Sequence, residues 1–117
     1  MRHRKAKRTL DRTSAQRQRL LRNLAVALII NGRITTTPAR AKLVRRFVER
    51  LISTGKQPTL VHRRQLLQAL PHRPAVQVIL QRLAPQFQRR AGGYTRRSNL
   101  GRRAGDGAEQ VKLEFIE

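Results

Sequence analysis

Electrostatic self-repulsion is the feature of this sequence that most constrains its fold. The chain of 117 residues carries 27 Lys and Arg against 6 Asp and Glu, which gives a formal net charge of +21. Charge of one sign destabilises a compact state unless a polyanion neutralises it. Hydrophobic residues still make up 38% of the chain, in periodic blocks that can bury a core. The sequence therefore predicts one folded domain that binds a polyanion.

The first twelve residues lack the apolar side chains that would bury a face. They are rich in Lys and Arg, and Leu10 is their one sizeable apolar residue after Met1. We expect residues 1–12 to form a basic extended arm that becomes ordered on a nucleic acid. Residues 13–117 are expected to form a single α+β domain.

Four helices are predicted from caps, breakers and apolar spacing. Thr13 or Ser14 caps the first helix and Gly32 ends it, whereas Thr37 caps the second, with Pro38 at its first position, and Gly55 ends that one. Prolines bound the two shorter helices. The outward face of the second helix is expected to be solvated or to face phosphate; it comprises Arg40, Lys42, Arg45, Arg46, Glu49 and Arg50. The predicted ranges are 13–31, 38–54, 60–70 and 74–84.

Three short segments read as strands, at 33–37, 93–99 and 109–117. The last one alternates Val111, Leu113 and Phe115 inward with Lys112 and Glu114 outward. Three strands cannot bury a face alone, so helices must cover one side of the sheet. The predicted fold is α+β, a two-layer sandwich with about four helices packed on a small three-stranded mixed sheet, preceded by the basic extended N-terminal arm.

The inventory of reactive side chains argues against an enzyme. There is no cysteine, and the six acids form no close pair in the sequence. His3, His62 and His72 lack the spacing of metal ligands, and Gln57 after Gly55-Lys56 excludes a Walker phosphate loop. We predict no catalytic residue, no metal, no cofactor and no small-molecule substrate.

Membrane association is also not expected. The longest apolar run, residues 24–30, has seven residues, which is too short to cross a bilayer. The basic N-terminus lacks the apolar region of a secretory signal. We expect a soluble intracellular protein with no membrane partner.

The stretch "QRRAGGYTRRSNLGRRAGDG", residues 88–107, holds six arginines and five glycines around the one tyrosine. Six guanidinium groups around one strand repel each other unless phosphates lie among them. Tyr94 can stack on a base or pack inside, and packing is the commoner role. With aromatics at 3% there is no stacking platform, which favours recognition of the nucleic-acid backbone.

These observations select the candidate nucleic-acid-binding residues. They belong to the arm, the first helix and the arginine-rich stretch. They are Arg2, His3, Arg4, Lys5, Lys7, Arg8, Arg12, Arg17, Arg22, Arg89, Arg90, Tyr94, Arg96, Arg97, Arg102 and Arg103.

Six short motifs follow one another along the chain: "MRHRK" at 1–5, "RTS" at 12–14, "RNLA" at 22–25, "ITTTPARAK" at 34–42, "GGYTR" at 92–96 and "GRRAGD" at 101–106. Together they resemble the bacterial large-subunit ribosomal protein bL17 family. The resemblance implies a structural component of the 50S subunit that binds 23S rRNA on the solvent side near the peptide exit, among other ribosomal proteins. It also implies a two-layer fold with the last strand central, no catalysis, and a cytoplasmic location.

Two other functions stay open at the level of composition. A free-standing protein that compacts DNA or RNA would carry the same charge, and it would bind any duplex in proportion to length. An enzyme acting on nucleic acid would need carboxylates that converge only in the folded chain.

Overall fold

The computed structural model of the chain describes residues 14–116. Four helical segments and three strands follow one another in the predicted order. The first six elements are α1 (Ser14–Asn31), β1 (Arg33–Thr36), α2 (Pro38–Gly55), α3 (Leu60–Ala69), α4 (residues 73–86) and β2 (Thr95–Arg102). Strand β3 (Glu109–Phe115) completes the domain. The predicted α+β class is confirmed, with small shifts at the ends of the elements.

The sheet is antiparallel throughout, so our prediction of a mixed sheet was wrong. Its strand order is β1-β3-β2, with Ile34 opposite Leu113 in one pair and Arg96 opposite Glu114 in the other. A short loop joins β2 to β3, and such a connection makes two strands antiparallel. Strand β1 runs in the same direction as β2, so it is antiparallel to β3 as well. The central position of β3 is confirmed.

The helices cover one face of this sheet, as a two-layer fold requires. Side chains from all four helices and from β3 form one continuous buried cluster. The alternation predicted for β3 is confirmed, because Val111 and Leu113 are 1% and 0% exposed. Lys112 and Glu114 alternate with them and project from the opposite face.

Helix α2 lies at the centre of the domain and contacts the other three helices and strands β2 and β3. Val44, Val48 and Ile52 on its inward face are fully buried. Glu49 corrects our expectation of a solvated or phosphate-facing residue. Its Oε2 accepts hydrogen bonds from the backbone N–H (3.2 Å) and the hydroxyl (3.0 Å) of Thr95, so this carboxylate anchors the first residue of β2 to α2.

The helix starts differ in part from the predicted caps. Thr37 precedes α2 in an extended conformation and Pro38, whose ring presets a helical φ, is the first helical residue, both as predicted, but the Thr37 side chain makes no capping hydrogen bond. Thr59 and His72 do cap α3 and α4, accepting from the N–H groups of His62 (3.2 Å) and Ala75 (3.1 Å). Thr13 of the proposed first cap lies outside the described residues.

Helix α4 is longer than predicted and changes its hydrogen-bond pattern midway. It begins as α-helix at Arg73–Val78, continues as a π-helical turn at Ile79–Leu83 and ends as α-helix at Ala84–Gln86. Pro85 lacks the N–H that a regular helix would use at this point. The π-helical turn lies directly before this proline. The segment then continues as α-helix to Gln86, past the predicted end at Ala84.

The two glycines expected to end helices do so in different ways. Gly32 has a φ of 84°, and its N–H donates to the carbonyl of Leu28 at 2.7 Å, which is a left-handed helix end. Gly55 instead lies within the last turn of α2 and is buried. A Cβ atom at this position would lie 2.9 Å from Cγ2 of Ile79. Gly55 is therefore needed for the close approach of α2 and α4.

We expect Gly55→Ala to lower the free energy of unfolding by about 1–3 kcal/mol, the usual cost of overpacking a core. Urea denaturation measures the change. Gly92→Ala is the matched control, since nothing lies within 4 Å of its Cβ position, and its effect should stay within about 0.5 kcal/mol. Equal stability of the two variants would contradict the close-packing role of Gly55.

Candidate nucleic-acid interface

Exposed basic side chains occur on all four helices, on β2 and on the turn before it. Helices α1, α3 and α4 contain no Asp or Glu, so acids are restricted to α2 and the β2–β3 hairpin in the part of the chain that the structure describes. The ion pairs within residues 14–116 are Arg45–Glu49 (3.5 Å), Arg96–Glu114 (3.3 Å), Arg103–Asp106 (2.6 Å) and Lys112–Glu114 (3.6 Å). Much of the helical surface is cationic without a compensating charge.

The turn between α4 and β2 presents Arg89 and Arg90 from a fixed backbone. Both side chains are exposed. The carbonyl of Arg90 accepts hydrogen bonds from the hydroxyl of Tyr94 (3.2 Å) and from Nζ of Lys56. Nζ of Lys56 also lies 4.6 Å from the centroid of the Tyr94 ring, within cation–π range. These contacts fix the backbone of the turn, so less conformational entropy is lost when the guanidinium groups of Arg89 and Arg90 bind a ligand.

Tyr94 corrects one of the predicted binding residues. Its side chain is 1% exposed, its ring packs 5.0 Å from that of Phe87 between centroids, and its hydroxyl lies 3.2 Å from Oγ of Ser53. A ring enclosed in this way cannot stack on a base. Tyr94 belongs to the core and fixes the turn that carries Arg89 and Arg90.

Strand β2 carries two arginines with different surroundings. Arg96 donates to Oε1 of Glu114 at 3.3 Å, and this hydrogen bond lowers the pKa of the Glu114 carboxyl. Arg96 and Glu114 are directly paired across the sheet. Arg97 is exposed on the other face of the strand and has no acidic partner within residues 14–116.

Arg102 and Arg103 form hydrogen bonds within the loop that joins β2 to β3. Arg103 makes a two-pronged contact with Asp106, at 3.1 and 2.6 Å, and Arg102 donates to the carbonyl of Gly107 at 2.9 Å. The Arg103 hydrogen bond, together with the N–H of Ala108, lowers the pKa of Asp106 to about 2. Both arginines are exposed, and their hydrogen bonds stabilise the conformation of the loop.

The first helix supplies Arg17 and Arg22, both half-buried. Nε of Arg22 donates to the carbonyl of Ala69 at 3.3 Å, which ties α1 to the end of α3. The predicted residues of the arm lie outside the described residues and stay predictions. They are Arg2, His3, Arg4, Lys5, Lys7, Arg8 and Arg12.

A basic row on α2 was absent from our predicted binding residues. Lys42, Arg46 and Arg50 are all exposed and four residues apart. Residues at this spacing lie one above another on a helix, about 6 Å apart along its axis. The spacing is visible in the sequence, which had indicated only a face that is solvated or faces phosphate.

Comparison with known proteins identifies the family. A family model for ribosomal protein L17 matches residues 20–116. A large ribosomal subunit protein bL17 of Gemmatimonas aurantiaca is 51% identical over 116 residues, which cover 99% of this chain and 98% of the relative. The bL17 protein of Bdellovibrio bacteriovorus is 49% identical over 115 residues, covering 98% of this chain but 64% of the relative.

The chain belongs to the ribosomal protein L17 family. The resemblance noted from the short motifs is thereby confirmed. A further relative, the bL17 protein of Thermomicrobium roseum, is 44% identical over 116 residues and covers 99% of each chain. The matched region begins at residue 20 and reaches residue 116, so it includes the α2 row, the arginine-rich stretch and the whole sheet of this L17 domain.

Across residues 14–116, no three His, Asp or Glu side chains gather in a way that would hold a metal ion. No helix among those residues has the length and apolar character needed to cross a membrane.

Replacing Tyr94 by Phe tests its reassignment to the core. We expect Tyr94→Phe to lower the free energy of unfolding by about 0.5–1.5 kcal/mol, because the hydrogen bonds of the hydroxyl are lost. RNA affinity should change little, because Nζ of Lys56 still holds the carbonyl of Arg90 in the turn. Urea denaturation and fluorescence anisotropy measure the two quantities. A loss of RNA affinity at unchanged stability would show that the tyrosine does reach the nucleic acid.

The loop contact predicts how Asp106 titrates. Arg103→Gln should raise the pKa of Asp106 from about 2 toward the ordinary value of an aspartate. Because the pKa is lowered in the folded chain, the contact stabilises the loop above the unfolded pKa, and this contribution is lost as the pH falls toward about 2. NMR titration of the Asp106 carboxyl carbon measures this pKa. Arg102→Gln is the control and should leave this pKa in place; an unshifted pKa in Arg103→Gln would refute the assignment.

Proposed function

We propose that this chain is a structural constituent of the large ribosomal subunit and binds 23S rRNA mainly through phosphate contacts of its Arg and Lys side chains. The family supports the first part, since its relatives are named large ribosomal subunit protein bL17. Neighbouring large-subunit proteins would then be its other partners, and the bacterial cytoplasm its location. No catalytic role is part of this proposal.

One observation carries the phosphate part of the proposal: the exposed arginines of α1, α3, α4 and the turn before β2 lie on elements without acids. Arginine binds phosphate with two parallel hydrogen bonds. A cationic surface that no carboxylate neutralises is stabilised when phosphates replace the missing anions.

The positions of the aromatic rings support contacts to the backbone over general base stacking. The four aromatic residues of the chain are Phe47, Phe87, Tyr94 and Phe115. Phe87 and Tyr94 are buried, and the other two are half-buried against the same core. Proteins that stack successive bases need exposed rings, and this domain presents none on its described surface.

The arginines of the interface differ in how many of their donors are free for RNA. Arg89, Arg90 and Arg97 are exposed and have no acidic partner in the described part of the chain. Arg96 and Arg103 are engaged by Glu114 and Asp106. We therefore assign the first three the larger share of phosphate contacts. The arm, residues 1–12, is proposed to add further contacts because it is rich in Lys and Arg.

A free-standing nucleic-acid-compacting protein is the alternative that the charge alone would permit. It would bind any duplex with an affinity that grows with length. A marked preference for one folded 23S rRNA fragment over a DNA duplex of equal length, at one salt concentration, separates the two functions.

The salt dependence of binding tests the phosphate contacts. Each phosphate contact removed should reduce the slope of log K against log salt by roughly 0.7 to 0.9. We expect Arg89→Gln/Arg90→Gln/Arg97→Gln to flatten the slope for a transcribed 23S rRNA fragment by up to three such steps, as measured by fluorescence anisotropy across a salt series.

Arg96→Gln/Arg103→Gln is the matched control, because its arginines already have acidic partners. Its slope should change less per residue than that of the triple variant. An unchanged slope in the triple variant would mean that those arginines do not contact phosphate. Circular dichroism of each variant checks that the fold is retained.

A further inference from the structure

A cleft between α1 and the connection from α3 to α4 has a composition that the proposed phosphate contacts do not explain. Its volume is about 350 Å³, within the range of small-molecule sites. Two neighbouring rows of α1 form one wall, and the connecting segment forms the other. The lining residues are Ala15, Gln18, Arg19, Arg22, Asn23, Val26, Leu70, Pro71 and His72.

Three kinds of chemistry meet in this cleft. Ala15, Val26 and Pro71 provide an apolar surface, and each is at least partly exposed. The amides of Gln18 and Asn23 provide paired donors and acceptors. Arg19 and Arg22 provide positive charge, and no acid is among the lining residues.

Hydrogen bonds hold two of the polar side chains in place. Arg22 donates through Nε to the carbonyl of Ala69, which leaves the four N–H groups of its terminal nitrogens for a ligand. Nδ1 of His72 accepts from the N–H of Ala75, so a neutral ring carries its proton on Nε2 as a donor. Polar groups fixed before binding lower the entropic cost of holding a ligand.

We infer that this cleft binds one unpaired nucleotide of an RNA. The base lies on the apolar surface, its edge meets the amides of Gln18 and Asn23, and its phosphate meets Arg19 and Arg22. An RNA-binding protein reads sequence at unpaired bases in this way. A phosphate of a duplex would contact only the arginines, and the amides and the apolar surface would then contact no part of the RNA.

This inference rests on the proposed function and adds base recognition at one point of a surface that otherwise contacts phosphates. Amide side chains pair with base edges in a defined geometry. The cleft would therefore fix the position of the domain along its RNA, whereas the arginines supply most of the affinity.

Binding to bulged RNA hairpins tests the inference with the full-length chain. The probes are a fully paired hairpin and four hairpins of the same stem, each with one bulged nucleotide, A, C, G or U. We expect the chain to bind at least one bulged hairpin about tenfold more tightly than the paired one, the discrimination of one good base contact. Fluorescence anisotropy at one salt concentration measures it.

The variant Gln18→Ala/Asn23→Ala should lose this preference and keep its affinity for the paired hairpin. Gln65→Ala/Gln77→Ala is the matched control, because it removes two exposed amides from α3 and α4 outside the cleft, and it should keep the preference. A preference that survives in the cleft variant would overturn the assignment.

The two proposals fail in distinguishable ways. Equal affinity of the chain for all five hairpins, with a steep salt dependence, would overturn the nucleotide site and leave the phosphate-binding function standing. Failure to bind any hairpin or rRNA fragment would contradict the proposed function itself.

Discussion

The apolar contact between helix α2 and strand β3 is the interaction on which the rest of the structure depends. Val44, Val48 and Ile52 of the helix and Leu113 of the strand are fully buried, and each such side chain contributes about 1.5–3 kcal/mol relative to exposure. The same helix receives α4 at Gly55 and holds β2 through Glu49. This layer opposes the self-repulsion of a chain with a net charge of +21.

The surface arginines fall into two groups with different structural roles. One group maintains the domain: Arg22 ties α1 to α3, Arg96 pairs across the sheet, and Arg103 closes the loop after β2. The other group, typified by Arg89 and Arg90, projects from a turn that a buried tyrosine holds in place. A rigid body of this kind presents cations at set positions, which suits a partner whose phosphates are themselves fixed by a folded RNA.

Much of the fold could be predicted from the sequence because its signals are local. Caps, breakers and apolar spacing located the four helices, and the alternation around Leu113 identified the last strand, whose central position was implied by the family resemblance. Strand direction depends on the path of the whole chain, which is why our prediction of a mixed sheet was wrong. Glu49 looked isolated because its partner Thr95 is 46 residues away in the sequence. The π-helical turn was not predicted because Pro85 shows that one N–H is missing but does not specify how the remaining backbone hydrogen bonds rearrange.

The candidate site was predicted less completely than the fold, for a physical reason. Charge is visible in the sequence, but burial and pairing are not, so Tyr94 was assigned to RNA and Arg103 was not recognised as a structural residue. The cleft beside Arg22 brings together residues from α1 and from the segment around Leu70. Their proximity follows from packing alone, and no spacing in the sequence indicates it.

Association with the large subunit is tested most directly by sedimentation of a tagged copy of the chain expressed in a bacterium. Ribosomal subunits are separated on a sucrose gradient, and the tagged chain is quantified in each fraction relative to other large-subunit proteins. The account predicts that the chain sediments with the 50S particle in amounts equal to those proteins. Recovery at the top of the gradient, or with chromosomal DNA, would contradict it.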